Sequence, residues 1–452
     1  MARRPKGAKR HKTVRKSPLS SSTRYRPNAR VELRFEEATR AYHRGDLQEA
    51  AATLLTIVEK TPHPGALHLL GHLHHGRGDL SSALGYLQRA VEAAPKFGEG
   101  HAALGVVYQQ LGRIDDAVDA YQEAIASAPQ DSRNHYNLGS AYKLAHNLEA
   151  AARAYKKAAE LSPEDLSIAG SLGRTLIELG ELTDAADVYR DAMALAPPGQ
   201  PDINEPFVFC AMRCGYKAEA LAAAEALQTH HPNHLGGLVL GTSANLALGQ
   251  SEAARDACID ILSRIPNETQ TLANLALAAH EIGDDSTHHN LYDFERFLDI
   301  QDLPTPAGFE SIEALNRALL AHINAHPTLR FEQHSLSCHR GATSDELLVP
   351  PLGPVQAWET MIRGQIEQYI ANLDLHDGHP FATHRPHECE LSAWATVLQG
   401  QGHQGAHIHP SSWLSGVYYV SLPDVMRHSD HNEGWIEFGR APAHYSVTRE
   451  AA

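Results

Sequence analysis

Small and apolar residues recur along the first two thirds of the chain with one fixed step. Gly71, Gly105, Gly139 and Gly173 stand 34 residues apart, and so do Pro95, Pro129, Pro163 and Pro197. Ala83, Ala117, Ala151 and Ala185 keep the same step, as do Leu87, Tyr121, Tyr155 and Tyr189, and then Ala90, Ala124, Ala158 and Ala192. Tyr108 and Tyr142 mark the first helix of their units. The pattern predicts two antiparallel helices per unit. A Gly and two Ala belong where the helices cross closely, because a larger side chain would push the backbones apart. The Tyr or Leu fills the space beside them, and the Pro ends the second helix. One such unit cannot bury its apolar face alone, so units must stack.

Weaker units flank the four clear ones. Residues 31–62 keep Ala50, Leu54 and Pro62; residues 201–232 keep Ala220 and Pro232; residues 235–266 keep Ala254 and Pro266. Residues 271–284 read as a further first helix that caps the stack, giving about seven units plus a cap over 31–284. These positions resemble the tetratricopeptide repeat family. The resemblance implies a superhelix with a concave groove for a protein or peptide, bound as an extended segment or a helix. Some members line that groove with an Asn in every first helix. Here the matching positions are Leu69, Ala103, Asn137, Ser171 and, at the cap, Asn274, which is no ladder. The basic residues are too scattered to clamp a peptide C-terminus. A scaffold between domains, or for self-assembly, is the other role open to such an array.

Beyond residue 285 the pattern changes. Residues 285–330 form a helical linker whose last part, 311–327, is amphipathic; a second amphipathic helix is expected over 354–373. Then come β signals: 389–400 alternates, 413–423 is rich in β-branched and aromatic residues, and 434–439 is a short strand between glycines. Helices followed by strands predict an α+β domain with a sandwich or barrel over 331–452. The chain is therefore multidomain, with an all-α array followed by this domain.

Charge adds a third region. Residues 1–30 carry 11 Lys or Arg and no acid, whereas the rest holds 28 bases against 54 acids. A Pro- and Ser-containing basic tail without an apolar face is expected to be disordered. It suits weak contact with nucleic acid or an anionic surface, or equally a solubilising arm against the acidic body. No apolar run is long enough for a membrane span, and no early segment has the signal-peptide pattern. Five scattered Cys fit free thiols in a reducing, cytoplasmic setting.

The chemistry-bearing stretch is 400–420, with His403, His407 and His409. Residues i and i+2 of a strand face one side, so His407 and His409 on a strand entry could share one metal. Solvent-facing or locally bonded imidazoles are the alternative.

The run from Leu391 to Pro423, with HIHP at 407–410 and SGVYYV at 415–420, and then GWIEFG at 434–439, resembles the 2-oxoglutarate/Fe(II)-dependent oxygenase domains that follow tetratricopeptide arrays in bacteria. The resemblance implies a double-stranded β-helix (jelly-roll), Fe(II) and 2-oxoglutarate as cofactors, and hydroxylation of a bound protein or peptide. It makes His407 the first metal ligand and sets His409 where relatives carry Asp or Glu. It makes Ser415, Tyr418 and Tyr419 candidates for the co-substrate pocket, with ordinary packing as the other role for the tyrosines. The family's distal His, and the Arg that pairs with 2-oxoglutarate, lie on strands after the GWIEFG-like one. Here only His444 followed by Arg449 has the right types in the right order, and they come too soon after Gly439. The jelly-roll is thus expected to be partial and C-terminally incomplete, and no catalytic residue is assigned. Two alternatives stand beside an enzyme: a non-catalytic adaptor with a vestigial domain, and a cupin-like metal protein. Against the cupin, Trp413 and Leu414 occupy the place of its usual Glu. No Gly-rich phosphate loop supports phosphate or sulfate transfer.

Overall fold

The computed structural model describes residues 25, 28–331, 338–373, 379–383, 386, 388, 390–405, 407, 409, 411–423, 436–437 and 440–448. The basic tail therefore lies almost wholly outside the described residues. The chain divides into two units, one ending at Pro163 and one beginning at Glu164.

The first unit is four helical hairpins: α1 (Ala29–Arg44) with α2 (Leu47–Val58), α3 (Pro64–Gly76) with α4 (Leu80–Ala93), α5 (Gly98–Gln110) with α6 (Ile114–Ser127), and α7 (Ser132–Leu144) with α8 (Leu148–Leu161). The repeating residues do what their types require. A β-carbon added at Gly71 would come within 2.6 Å of the Leu87 side chain, at Gly105 within 2.5 Å of the Tyr121 ring, and at Gly139 within 2.8 Å of the Tyr155 ring. Each glycine thus lets a large residue 16 positions later lie flat against its helix. Ala83, Ala117 and Ala151 are fully buried beside them. The residues before Pro95, Pro129 and Pro163 leave helical geometry, with ψ of 88°, 75° and 73° at Ala94, Ala128 and Ser162, as the proline ring demands of its predecessor. Within each hairpin a left-handed residue turns the chain. It is Gly45 (φ 86°), Gly78 (φ 77°) and Gly112 (φ 70°) in three of them, and His146 (φ 55°) in the fourth.

The second unit continues with α9 (Leu166–Glu178) and α10 (Leu182–Leu195), α11 (Pro201–Arg213) and α12 (Lys217–His230), α13 (Leu235–Ala247) and α14 (Ser251–Arg264), then α15 (Thr269–Ile282) and the short α16 (Asp285–Leu291). Gly173 faces Tyr189 as its counterparts do, at 2.4 Å for an added β-carbon. The same unit holds α17 (Phe294–Phe297), α18 (Ile312–Asn324), β1 (Arg330–Phe331), β2 (Cys338–Thr343), α19 (Val355–Asn372), α20 (Pro380–Thr383) and β3 (Thr396–Gln404). The three strands form one antiparallel sheet in the order β1-β2-β3. Arg330 pairs with Thr343, and Thr343 with Thr396. The β2–β3 register is irregular between His339 and Gly341, where Arg340 takes φ 53°.

Beyond Thr343 the pairing continues irregularly. Ser344 N–H donates to the Ala395 carbonyl (3.0 Å) and Leu347 N–H to the Ala393 carbonyl (2.7 Å), while the Glu346 carboxylate accepts from Ala393 N–H (3.0 Å). The core here is Leu315, Leu319 and Ile323 on one stripe of α18, with Leu347, Val355, Met361, Ala393 and Ala395. The amphipathic helices expected at 311–327 and 354–373 are thus present as α18 and α19.

The strands differ from expectation. β3 covers 396–404 rather than 389–400, and the described residues of 413–423 and 434–439 belong to no strand. β-Propensity builds a strand only where a neighbour pairs its backbone. Trp413 and Tyr418 use their side chains otherwise: Trp413 Nε1 donates to the Phe381 carbonyl (2.9 Å) with its ring stacked on Phe381, and the Tyr418 hydroxyl donates to Asn316 Oδ1 (2.6 Å). The described sheet is a small one, and a complete jelly-roll is not formed by the described residues.

Candidate functional site

Strand β3 ends at Gln404, and the chain passes Gly405 to reach His407 and His409. The expected strand entry under the two histidines is absent: neither residue is in a strand. Pro410 follows directly and has no N–H to give to a ladder. The imidazoles nevertheless meet, with ring centroids 4.9 Å apart and planes nearly perpendicular. His407 Nδ1 lies 2.8 Å from the Gly405 carbonyl oxygen. A carbonyl only accepts, so that contact assigns the proton to Nδ1 and leaves the Nε2 lone pair available. A backbone carbonyl behind one ring nitrogen is the support that orients metal-binding imidazoles. His409 lies against Trp394, centroids 5.4 Å apart. Its pKa is lowered, first by burial and then by the neighbouring His407, so the neutral, ligating form is favoured.

Alongside, His403 on β3 stacks on His339 of β2 at 4.8 Å, their residues being register partners. Sequence reading had no reason to single out His339, since only the sheet register joins it to His403. Among the described residues no group of three or more His, Cys, Asp or Glu could hold a metal. Among the described residues, the donor set at His407 and His409 is two imidazoles without a carboxylate. It does not complete the three-ligand face that iron requires, and no chemical step is derived through a metal.

The co-substrate candidates follow this pair in the chain. Tyr418 is half-buried and turned to Asn316 on α18, with its pKa raised by burial. Ser415 and Tyr419 are exposed. His444 lies against Tyr445, its ring centroid 4.7 Å away, near Arg213 and Lys217, and Arg449 is outside the described residues.

A second polar cluster sits on the repeats. Asn274 on α15 is fully buried and uses every hydrogen-bonding position: its amide nitrogen donates to Thr242 Oγ1 (2.7 Å) and Ser243 Oγ (2.9 Å), and its oxygen accepts from Gln270 Nε2 (3.0 Å) and the Tyr445 hydroxyl (3.2 Å). The sequence marked Asn274 only as one rung of a missing ladder. The available signal was a Thr-Ser pair facing a buried Asn two helices later.

Comparison with known proteins agrees with these two regions. The tetratricopeptide repeat family matches residues 35–97, 102–165 and 136–199. The family described as "Putative 2OG-Fe(II) oxygenase" matches residues 392–451, which include both histidines. The chain carries tetratricopeptide repeats followed by a 2OG-Fe(II) oxygenase-family domain. No curated protein matches it. Similar solved structures include MamA from Desulfovibrio magneticus, 24% identical over 37% of this chain and 96% of that one, TM-score 0.34. PilF of Pseudomonas aeruginosa is 20% identical over 46% and 94%, TM-score 0.36. YrrB, described as a TPR protein with an unusual peptide-binding site, is 18% identical over 42% and 97%, TM-score 0.37. Among the described residues of this repeat protein, no helix is long and apolar enough to cross a membrane.

Proposed function

We propose that the repeats hold a protein or peptide for a 2-oxoglutarate/Fe(II) oxygenase-type domain, which hydroxylates it. One observation carries the reading: the oxygenase-family match at 392–451 falls on the stretch where two imidazoles meet, one of them oriented by a backbone carbonyl. The small antiparallel sheet is read as part of a jelly-roll, and Fe(II) and 2-oxoglutarate are the cofactors that the family implies. The domain limits of this reading are a basic tail over 1–30, repeats over 31–284, a linker over 285–330 and the oxygenase-type domain from 331.

Buried thiols suit a reducing, cytoplasmic setting. Burial pushes Cys210 and Cys258 up to about 12, which keeps them protonated and unreactive. Weak contact of the basic tail with nucleic acid or an anionic surface is a separate proposal, checked by the salt dependence of RNA binding.

The deciding experiment incubates the chain with Fe(II), 2-oxoglutarate and a peptide library, and follows succinate by NMR. Succinate release that disappears in a His407→Ala/His409→Ala double variant is the expected result. Release that is absent, or equal in both proteins, overturns the enzyme reading. The second reading, a non-catalytic adaptor, is favoured by Tyr418, whose hydroxyl is spent on Asn316 rather than turned to a co-substrate. Under that reading the double variant keeps its partner binding and neither protein makes succinate.

A further inference from the structure

The described residues near the C-terminal end of the chain rest on the repeats, and the contacts are those of a peptide being read. Tyr445 is buried among Leu246 and Ala247 at the end of α13 and Leu277 and Ala278 on α15, and its hydroxyl reaches Asn274. Ser446 uses both its backbone and its side chain. Its N–H donates to the Leu246 carbonyl (3.1 Å) and its Oγ to the Ala247 carbonyl (2.7 Å), while Oγ accepts from Lys217 Nζ (2.9 Å). Those carbonyls belong to the last turn of α13, and the Leu246 oxygen also accepts from the Gly249 N–H that caps the helix. Two residues on, Thr448 presents N–H and Oγ1 to the two oxygens of Glu281, at 2.9 and 2.8 Å. Aromatic, hydroxyl and hydroxyl positions are thus each met by a group of matching chemistry, with Val447 between them packed on the same cluster.

We propose that the face formed by α13, α15 and Lys217 is a reader of Tyr-Ser-x-Thr segments, and that residues 441–448 are its resident ligand in cis. A protein partner for this face is then one that carries the same pattern and displaces the resident. The proposal does not rest on turnover by the oxygenase-type domain, and its test measures binding alone.

A tethered segment competes at an effective concentration of about 1 mM. A free peptide with an affinity of about 0.1 mM should therefore bind the intact chain about tenfold more weakly than a chain whose own segment is disabled. The probe is a fluorescein-labelled peptide of residues 441–448, followed by anisotropy against the full chain and against a Tyr445→Ala/Ser446→Pro variant. The expected result is about tenfold tighter binding to the variant, lost again when Glu281→Gln and Asn274→Ala are added. A folding control that needs no added peptide is amide exchange: Ser446 and Thr448 should be protected in the intact chain, and Thr448 should lose protection in Glu281→Gln. Equal affinity for both proteins, no binding to either up to millimolar peptide, unprotected amides in the intact chain, or a concentration-dependent dimer exchanging the segment between copies would each overturn the in-cis reader.

Discussion

The repeat hairpins and the region built on α18 bury apolar surface in different ways. In a hairpin the decisive contact is between a glycine and the aromatic or Leu 16 residues later, within one unit of the repeat. In the α18 region the core joins Leu315 to Leu347, Val355 and Ala393, and its polar contacts span long separations: Tyr418 to Asn316 crosses 102 residues and Ala393 to Glu346 crosses 47. The first kind of core forms from neighbours in the chain, and damage to it should stay where it is made. The second closes long loops before any contact repays them, so its parts should stand or fall together.

The comparison can be broken at its strongest points. Tyr121 is fully buried against Gly105, so Tyr121→Ala should cost about 3–5 kcal/mol. Denaturant unfolding reads the size, and amide exchange should rise in α5, α6 and the next hairpin but not in α1 and α2. Exchange that rises equally throughout the first unit would show that its repeats are not locally keyed. Leu315, equally buried, should cost about 2–5 kcal/mol as Leu315→Ala. There the loss of protection should spread to β2 and β3; if it stops at α18, the contrast between the two regions fails.

Smaller changes sharpen the same contrast. Gly105→Ala sets a β-carbon 2.5 Å from the Tyr121 ring and should cost about 1–3 kcal/mol of unfolding free energy, although alanine is the better helix former. The docked segment should respond to acid. Burial first, then the Arg213 and Lys217 charges, hold His444 down at about 4 from an ordinary 6.5. The released segment takes up a proton more readily, so the seat is at full strength above about pH 6.5 and weakens as pH falls toward about 4. Amide exchange at Ser446 should be faster at pH 5 than the intrinsic rate alone explains, relative to pH 7. The smallest effect is a gain. His146 holds the left-handed turn that glycine holds at 78 and 112, and His146→Gly should stabilise by about 0.5–1 kcal/mol in thermal or denaturant unfolding.

The same difference explains what could be read from the residues alone. The step of 34 exposes Gly71 with Leu87 and Gly139 with Tyr155, because a contact that repeats writes itself several times into the chain. Helices α18 and α19 were legible from their own apolar stripes. The strands were not, since the β-rich run at 413–423 has the composition of a strand but spends Trp413 on Phe381 and Tyr418 on Asn316. His407 and His409 were found by spacing, though a loop rather than a strand brings their rings to 4.9 Å. His339 beside His403, and Tyr445 on Asn274, needed the fold: no local rule links residues 64 or 171 positions apart.

The glycine and its aromatic also determine what kind of change the array can absorb. Both members of each pair belong to the same 34-residue stretch, so excising residues 98–131 would remove one lock together with its key and leave Gly71 facing Leu87 and Gly139 facing Tyr155. The length of such an array is therefore adjustable in whole repeats. A lineage could shorten or extend it by unequal recombination without inventing a new fit, whereas a cut ending between a glycine and its partner would separate lock from key.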